Sequence, residues 1–219
     1  MSKPMLAGEG GDDLLARPLA EVSPDELQHL FVGAAKPDTQ WFVGTEVEVF
    51  AFHRGDLRAA DHGAIRAVLL ELGDKLDMRH VLEVNDELIG LEGRGEAVSL
   101  EPGGQLEFAT RPHRSLKALR DEICSWASAL AEVGAGHGLG FWAAGQQPFV
   151  TRDTAPVMPK PRYAIMREHL TGGLARDMMH LTGSVQVTVD FLDEANLTNK
   201  VRTAARASPF LSALVAASP

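Results

Sequence analysis

Cysteine is nearly missing from this chain: 219 residues carry one, Cys124. A single thiol excludes an internal disulfide and a cysteine-based zinc site. Cys124 lies within a helical pattern and is expected to pack as a small hydrophobe, buried or half-buried. Basic residues are few, 21 Lys and Arg against 30 Asp and Glu, for a net charge of -9. They are scattered rather than clustered, which argues against general nucleic-acid binding, a function that needs a basic face. No apolar run approaches the ~20 residues of a membrane span. The N-terminus also lacks the basic-then-apolar order of a signal peptide. No membrane association and a cytoplasmic location are the resulting expectations. There is no internal repeat and no low-complexity tract. None of the eight histidines falls in an H-E-x-x-H or other recognised ligand spacing. His53, His62, His169 and His180 read as surface or core residues. The Gly134–Gly140 run is glycine-rich but follows a helical pattern and precedes a strand. That is the reverse of the order that aims a helix N-terminus at a dinucleotide phosphate.

What is present is the composition of a globular protein, 45% hydrophobic and 23% charged, enough for one domain or a tight pair. Ser23-Pro24-Asp25-Glu26 is a helix start, with Ser23 as cap, proline in the first turn and Glu26 closing a capping box. A strand is expected over 41–52. A helix follows His62-Gly63, with Ile65, Val68, Leu69, Leu72 and Leu76 at three–four spacing. Short strands and turns alternate over 80–100. A long helix then carries Leu116, Leu119, Ile123, Trp126, Leu130 and Val133 on one stripe. Residues 146–160 are proline-rich and aperiodic, a long loop that either caps a site or merely covers surface. Helix signals return at 161–171, a strand surrounds Gln186, and helices run from Asp193 onward.

The strongest chemical signal is Glu46-Val47-Glu48, inside the apolar run Trp41–Phe50. Strand side chains alternate, so Glu46 and Glu48 share a face, roughly 7 Å apart at the strand rise. Val43, Val47 and Val49 point the other way. Two carboxylates side by side repel unless a cation lies between them, and Mg²⁺ is an oxygen-seeking candidate. The segment Ser99-Leu100-Glu101-Pro102-Gly103-Gly104-Gln105-Leu106-Glu107-Phe108 repeats the theme around a Pro-Gly-Gly turn. Gln105 and Glu107 face together. If the two strands are neighbours, Glu46, Glu48, Glu101 and Glu107 line one acidic floor. The alternative is an ordinary solvent-facing side of an antiparallel sheet, where charges are common.

These segments resemble the glutamate–cysteine ligases of the plant and proteobacterial type. The shared motifs are G-T-E-x-E-x-F at Gly44–Phe50 and S-L-E-P-G-G-Q-x-E-F at Ser99–Phe108. Gly140–Pro148 matches the family's G-F-x-x-x-G-x-Q-P, and Met158–Met166 its M-P-K-x-R-Y-x-x-M. Asp177-Met178-Met179 and Thr182–Phe191 match its D-M-M and T-V-Q-V-x-x-D-F strand. The resemblance implies an α+β fold of the glutamine-synthetase-like type, a funnel-like antiparallel sheet with helices on its outer face. It implies an ATP- and Mg²⁺-dependent ligase joining glutamate to cysteine through γ-glutamyl phosphate, with glutamate, cysteine and ATP as small-molecule partners. Carried over by position, Glu46, Glu48 and Glu107 are metal ligands and Glu101 a further one. Gln186 and Gln105 are cofactor contacts, and Lys160 and Arg162 bind phosphate or a substrate carboxylate. Such chemistry needs charge neutralisation and positioning more than covalent help. Two departures stand out. Val47 occupies a position where many relatives have histidine. The segment Pro209–Pro219 resembles one near the middle of the family's chain. The expected organisation is therefore a frayed 1–20 followed by 21–219 as the N-terminal part of a single ligase domain. A C-terminal half or a second copy is the expected protein partner. The other reading is a non-catalytic or split-subunit ligase-like protein that needs a partner to complete the ATP site.

Overall fold

The computed structural model describes residues 17–18 and 21–216, so the expected frayed terminus lies almost wholly outside the described residues. The chain divides into two compact units, Met1–Phe42 with Val189–Val215, and Val43–Thr188 with Ala216–Pro219.

The larger unit is built on an open seven-stranded sheet. Its strands are β1 Val43–His53, β2 Arg79–Leu82, β3 Leu88–Glu92, β4 Ala97–Leu100, β5 Gln105–Ala109, β6 Leu139–Trp142 and β7 Val185–Val189. The order is β2-β3-β4-β5-β1-β6, and β7 also pairs with β1. The pairs from β2 through to β6 along this order are all antiparallel. At 11 residues β1 is long enough to serve as the hub.

Two helices cover one face of the sheet. Helix α2, His62–Leu76, starts at Asp61, whose carboxylate accepts the Ala64 N–H at 2.9 Å. Helix α3, Leu116–Gly136, is capped by Ser115. Ile65, Val68, Leu69 and Leu72 of α2 and Trp126, Leu130 and Val133 of α3 pack onto Val49, Val98, Leu100, Leu106 and Phe108. The Trp126 indole stacks on Phe108 with ring centroids 4.7 Å apart, a contact contributing about 0.5–1.5 kcal/mol beyond its buried area.

The predicted stripe of α3 holds from Leu119 onward, but Leu116 is exposed at the first turn. Cys124 is exposed as well, contrary to expectation. It sits two positions from Trp126, about 200° around the helix, and so turns away from the face that the stripe buries. The Gly134–Gly140 run joins α3 to β6, as its helix-then-strand order requires. Gly140 is needed there, because a Cβ would come within 2.5 Å of the Phe52 ring. After the aperiodic 146–160 stretch come helices α4, Pro161–His169, and α5, Ala175–Leu181.

In the smaller unit, helix α1, Pro24–Gly33, has the complete capping box expected of Ser23 and Glu26. Hydrogen bonds from Ser23 and Arg17 hold the Glu26 carboxyl down at about 2. Helix α6, Glu194–Leu214, is one helix where several were expected, and it continues through Pro209. Asp190 ties residues 36–42 of this unit to its C-terminal segment. Its carboxylate accepts from Lys36 Nζ and from the Phe42 N–H, each at 2.8 Å. Burial opposes its charge, but those two bonds outweigh burial and hold the carboxyl below the usual range. Lys200 Nζ lies 3.7 Å from the centre of the Trp41 ring, a cation–π contact.

Candidate active site

The face of the sheet away from α2 and α3 carries the acidic residues. Register places Glu48 directly opposite Glu107 across β1 and β5, and Ser99 opposite Glu107 across β5 and β4. Three polar side chains thus form one row across three strands. Glu46 lies two residues along β1 on the same side. Glu101 follows β4 two residues after Ser99, and its N–H is held by the Gln105 carbonyl at 2.9 Å. The two motifs are neighbours in one sheet, as the floor requires. The Ser99 hydroxyl lies 3.3 Å from both Glu101 Oε1 and Glu107 Oε1, bridging two of the carboxylates.

Directly opposed like charges destabilise a sheet, and here they are also half-buried. Burial pushes the Glu107 carboxyl up, Glu101, Glu46 and Glu48 push it further, and it reaches about 7. Burial raises Glu48 too, with Glu101 and Glu46 acting in the same sense, but two bonds from Ser184 pull it back. The Ser184 N–H and Oγ–H reach Glu48 Oε2 at 2.6 and 3.1 Å. Ser184 immediately precedes β7. Gln186, two residues on, shares its face and donates from Nε2 to Ser184 Oγ at 3.4 Å. Gln186 therefore borders the Glu48 carboxylate.

Cationic groups approach from α4. Lys160, which caps that helix, is buried, and desolvation lowers its ammonium pKa against the opposing pull of Glu101 and Glu107. Its Nζ lies 5.3 Å from the centre of the Tyr163 ring. The Arg162 guanidinium lies 5.0 Å from the same ring and 3.9 Å from Glu101 Oε1. The buried Tyr163 hydroxyl donates to the Leu100 carbonyl at 2.7 Å, fixing α4 to the end of β4. Gln105 lies on the acidic side of β5, but it is only 2% exposed and both ends of its amide are engaged within the protein.

Glu46, Glu48, Glu101, Glu107, Lys160, Arg162 and Gln186 therefore lie around one acidic face, whereas the Gln105 amide is spent on contacts within the protein. Sequence reasoning missed Ser99, Ser184 and Tyr163. Strand alternation could have found the first two, since Ser99 is in phase with Glu101 and Ser184 with Gln186. Nothing in the sequence shows that the Tyr163 hydroxyl seeks a strand-end carbonyl.

Among the described residues, no three His, Cys, Asp or Glu side chains converge closely enough to hold a metal ion. The glutamates share a face without converging, as uncompensated like charges do. Their donor set, all carboxylate oxygen with nearby hydroxyl and amide groups, is the set that hard divalent cations take. A cation there would also offset the burial and the carboxylate repulsion that together lift Glu107.

Comparison with known proteins places the chain in a family. Residues 42–219 match the model of glutamate-cysteine ligase family 2 (GCS2). The chain belongs to that family. It is 36% identical over 200 residues to the chloroplastic glutamate–cysteine ligase B of Oryza sativa subsp. japonica, covering 90% of this chain and 40% of the rice protein. With the rice ligase A it shares 35% identity over 221 residues, 97% of this chain and 45% of that protein. With the chloroplastic enzyme of Medicago truncatula it shares 36% over 197 residues, 89% and 38% respectively. The chain thus spans about two-fifths of the length of these relatives.

Proposed function

We propose that this chain carries the metal- and phosphate-facing part of an ATP- and Mg²⁺-dependent ligase that joins the γ-carboxylate of glutamate to the amine of cysteine. In that reaction a glutamate carboxylate oxygen takes the terminal phosphoryl group of ATP and ADP leaves. The cysteine nitrogen then attacks the acyl carbon, phosphate leaves and a proton is lost. Bound Mg²⁺ would neutralise phosphate charge and hold the phosphates in line. Glu46, Glu48, Glu101 and Glu107 would hold the cation. Ser184, just before β7, orients Glu48 and is itself held by Gln186, and Ser99 bridges Glu101 and Glu107. Arg162 offers a planar fork for a phosphate or carboxylate, and Lys160 a point charge whose desolvation strengthens its pull on an anion.

The observation that carries this reading is the Glu48–Glu107–Ser99 row in a chain of the glutamate–cysteine ligase family. The test is ADP release with Mg²⁺, ATP, glutamate and cysteine, omitting each in turn. Release that needs both amino acids supports the ligase. ATP hydrolysis indifferent to both amino acids would contradict it.

A second reading, that the site is completed by another part of a ligase domain, has its own observation. Alternation puts Val185 and Val187 of β7 on the apolar side of the sheet, yet they are 68% and 64% exposed at its open edge. An exposed apolar edge invites pairing. Its occupant would be the portion of a ligase domain absent here, continued on the same polypeptide or supplied by another. Concentration-dependent association in size-exclusion chromatography, lost in Val187→Asp, is expected. A monomer at every concentration would contradict it.

A further inference from the structure

We propose that Gln105 is a positioning residue that sets the spacing between the two halves of the acidic face without touching a ligand. The proposal rests on reading that face as a cation site.

The two halves share the β1–β5 ladder, but the turn and the grip that aim their carboxylates are separate. Glu101 and Glu107 flank the Pro102-Gly103-Gly104 turn. Glu48 is gripped by Ser184, which belongs to the run after α5. The buried Gln105 side chain joins the two supports. Gln105 Nε2 donates to the Thr182 carbonyl at 2.8 Å, and its Oε1 accepts the Gly103 N–H at 2.9 Å. Thr182 is two residues from Ser184, so the amide links the turn to the grip on Glu48 through one short stretch of backbone.

The surroundings leave little slack. A Cβ on Gly103 would lie 2.0 Å from the His180 carbonyl oxygen, so the turn is pressed against the run it is bonded to. The Leu181 carbonyl is occupied by the Gln147 N–H at 2.7 Å, and the Gly183 N–H by the Gly145 carbonyl at 3.2 Å. The Thr182 carbonyl between them is left for Gln105. The amide supplies a donor and an acceptor at once, and leucine or methionine supplies neither. Each loss strands a buried polar group, which favours shifting the backbone over leaving it unpaired.

The test uses the intact chain and two readouts. In Gln105→Met, hydrogen exchange at the Ser184 amide, which donates to Glu48, should accelerate at least tenfold. Mn²⁺ affinity, followed by the spectrum of the free ion, should fall about tenfold, the usual effect of losing an orienting partner. Val98→Ala, a core change on the opposite face, serves as the control for destabilisation alone and should leave Mn²⁺ affinity within about twofold. Should Gln105→Met not fold, Gln105→Asn keeps the amide but is one methylene too short to span both the 2.8 and 2.9 Å contacts, and carries the same expectations. Unchanged exchange at Ser184, or equal loss of Mn²⁺ affinity in Val98→Ala, would overturn the proposal. If wild type binds no Mn²⁺, the cation-site reading falls, and the proposal falls with it. Accelerated exchange in Gln105→Met would then show only a structural tie between turn and run.

Discussion

Two adjacent register pairs on β1 and β5 face opposite ways. Val49 pairs with Leu106 and points into the helices, while Glu48 pairs with Glu107 and points out. The first pair loses almost all its exposure against α2, α3 and the neighbouring strands. The second sets two carboxylates side by side, half-buried, with Glu101 and Glu46 adding to the repulsion. One residue of register separates an interaction that holds the fold from one that strains it. Strain confined to one face, with its partners oriented by Ser99 and Ser184, is what a binding site shows when its ligand has the opposite charge. Stability and function are assigned to different faces of the same strands, and substitutions should separate them.

The largest effect is expected on the apolar side. Leu106→Ala removes a fully buried side chain and should lose about 2–5 kcal/mol in urea unfolding, with Mn²⁺ affinity of the folded protein nearly unchanged. Glu107→Gln should do the reverse. Removing one of the opposed charges should stabilise the ligand-free protein at pH 8 by on the order of 1 kcal/mol after solvent screening. The same change should weaken Mn²⁺ binding tenfold or more. A Glu107→Gln protein less stable than wild type at pH 8 would mean that its carboxylate is already compensated.

Acid should sharpen the contrast. Glu107 binds its proton more tightly in the folded chain, at about 7, than in the unfolded chain, near 4.3. A raised folded value stabilises fully below the unfolded value, and the benefit is lost as pH rises through the folded one. The Glu107 contribution, read as the urea midpoint of the ligand-free chain minus that of Glu107→Gln so that the opposite-signed contribution of buried His180 cancels, should therefore fall between about pH 4.5 and pH 7.5. A saturating divalent cation should flatten or reverse this slope. The smallest effect belongs to the exposed edge: Val187→Thr should change stability by less than about 0.5 kcal/mol.

The apolar face was legible in the sequence because periodicity is local. The three–four spacing of Ile65 to Leu76 and the alternation in Leu106 and Phe108 each declare their buried side within a dozen residues. The acidic floor was half legible. Alternation put Glu46 with Glu48 and Gln105 with Glu107, but only the β1–β5 register makes Glu48 and Glu107 neighbours. The grip of Ser184 on Glu48 spans 136 positions and depends on β7 lying beside β1. The same non-locality hides the role of Gln105, whose partner Thr182 is 77 positions away. Cys124 was misjudged for a simpler reason: a helical pattern identifies the stripe, and a neighbour of the stripe need not belong to it.

The most direct test of the acidic face is a titration of the intact chain with Mn²⁺ at pH 8, beside Glu48→Gln and Glu107→Gln. Saturable binding by wild type, weakened tenfold or more in both variants without loss of fold, is the expected result. Binding that is unaffected by either substitution would contradict the assignment of these carboxylates to a cation.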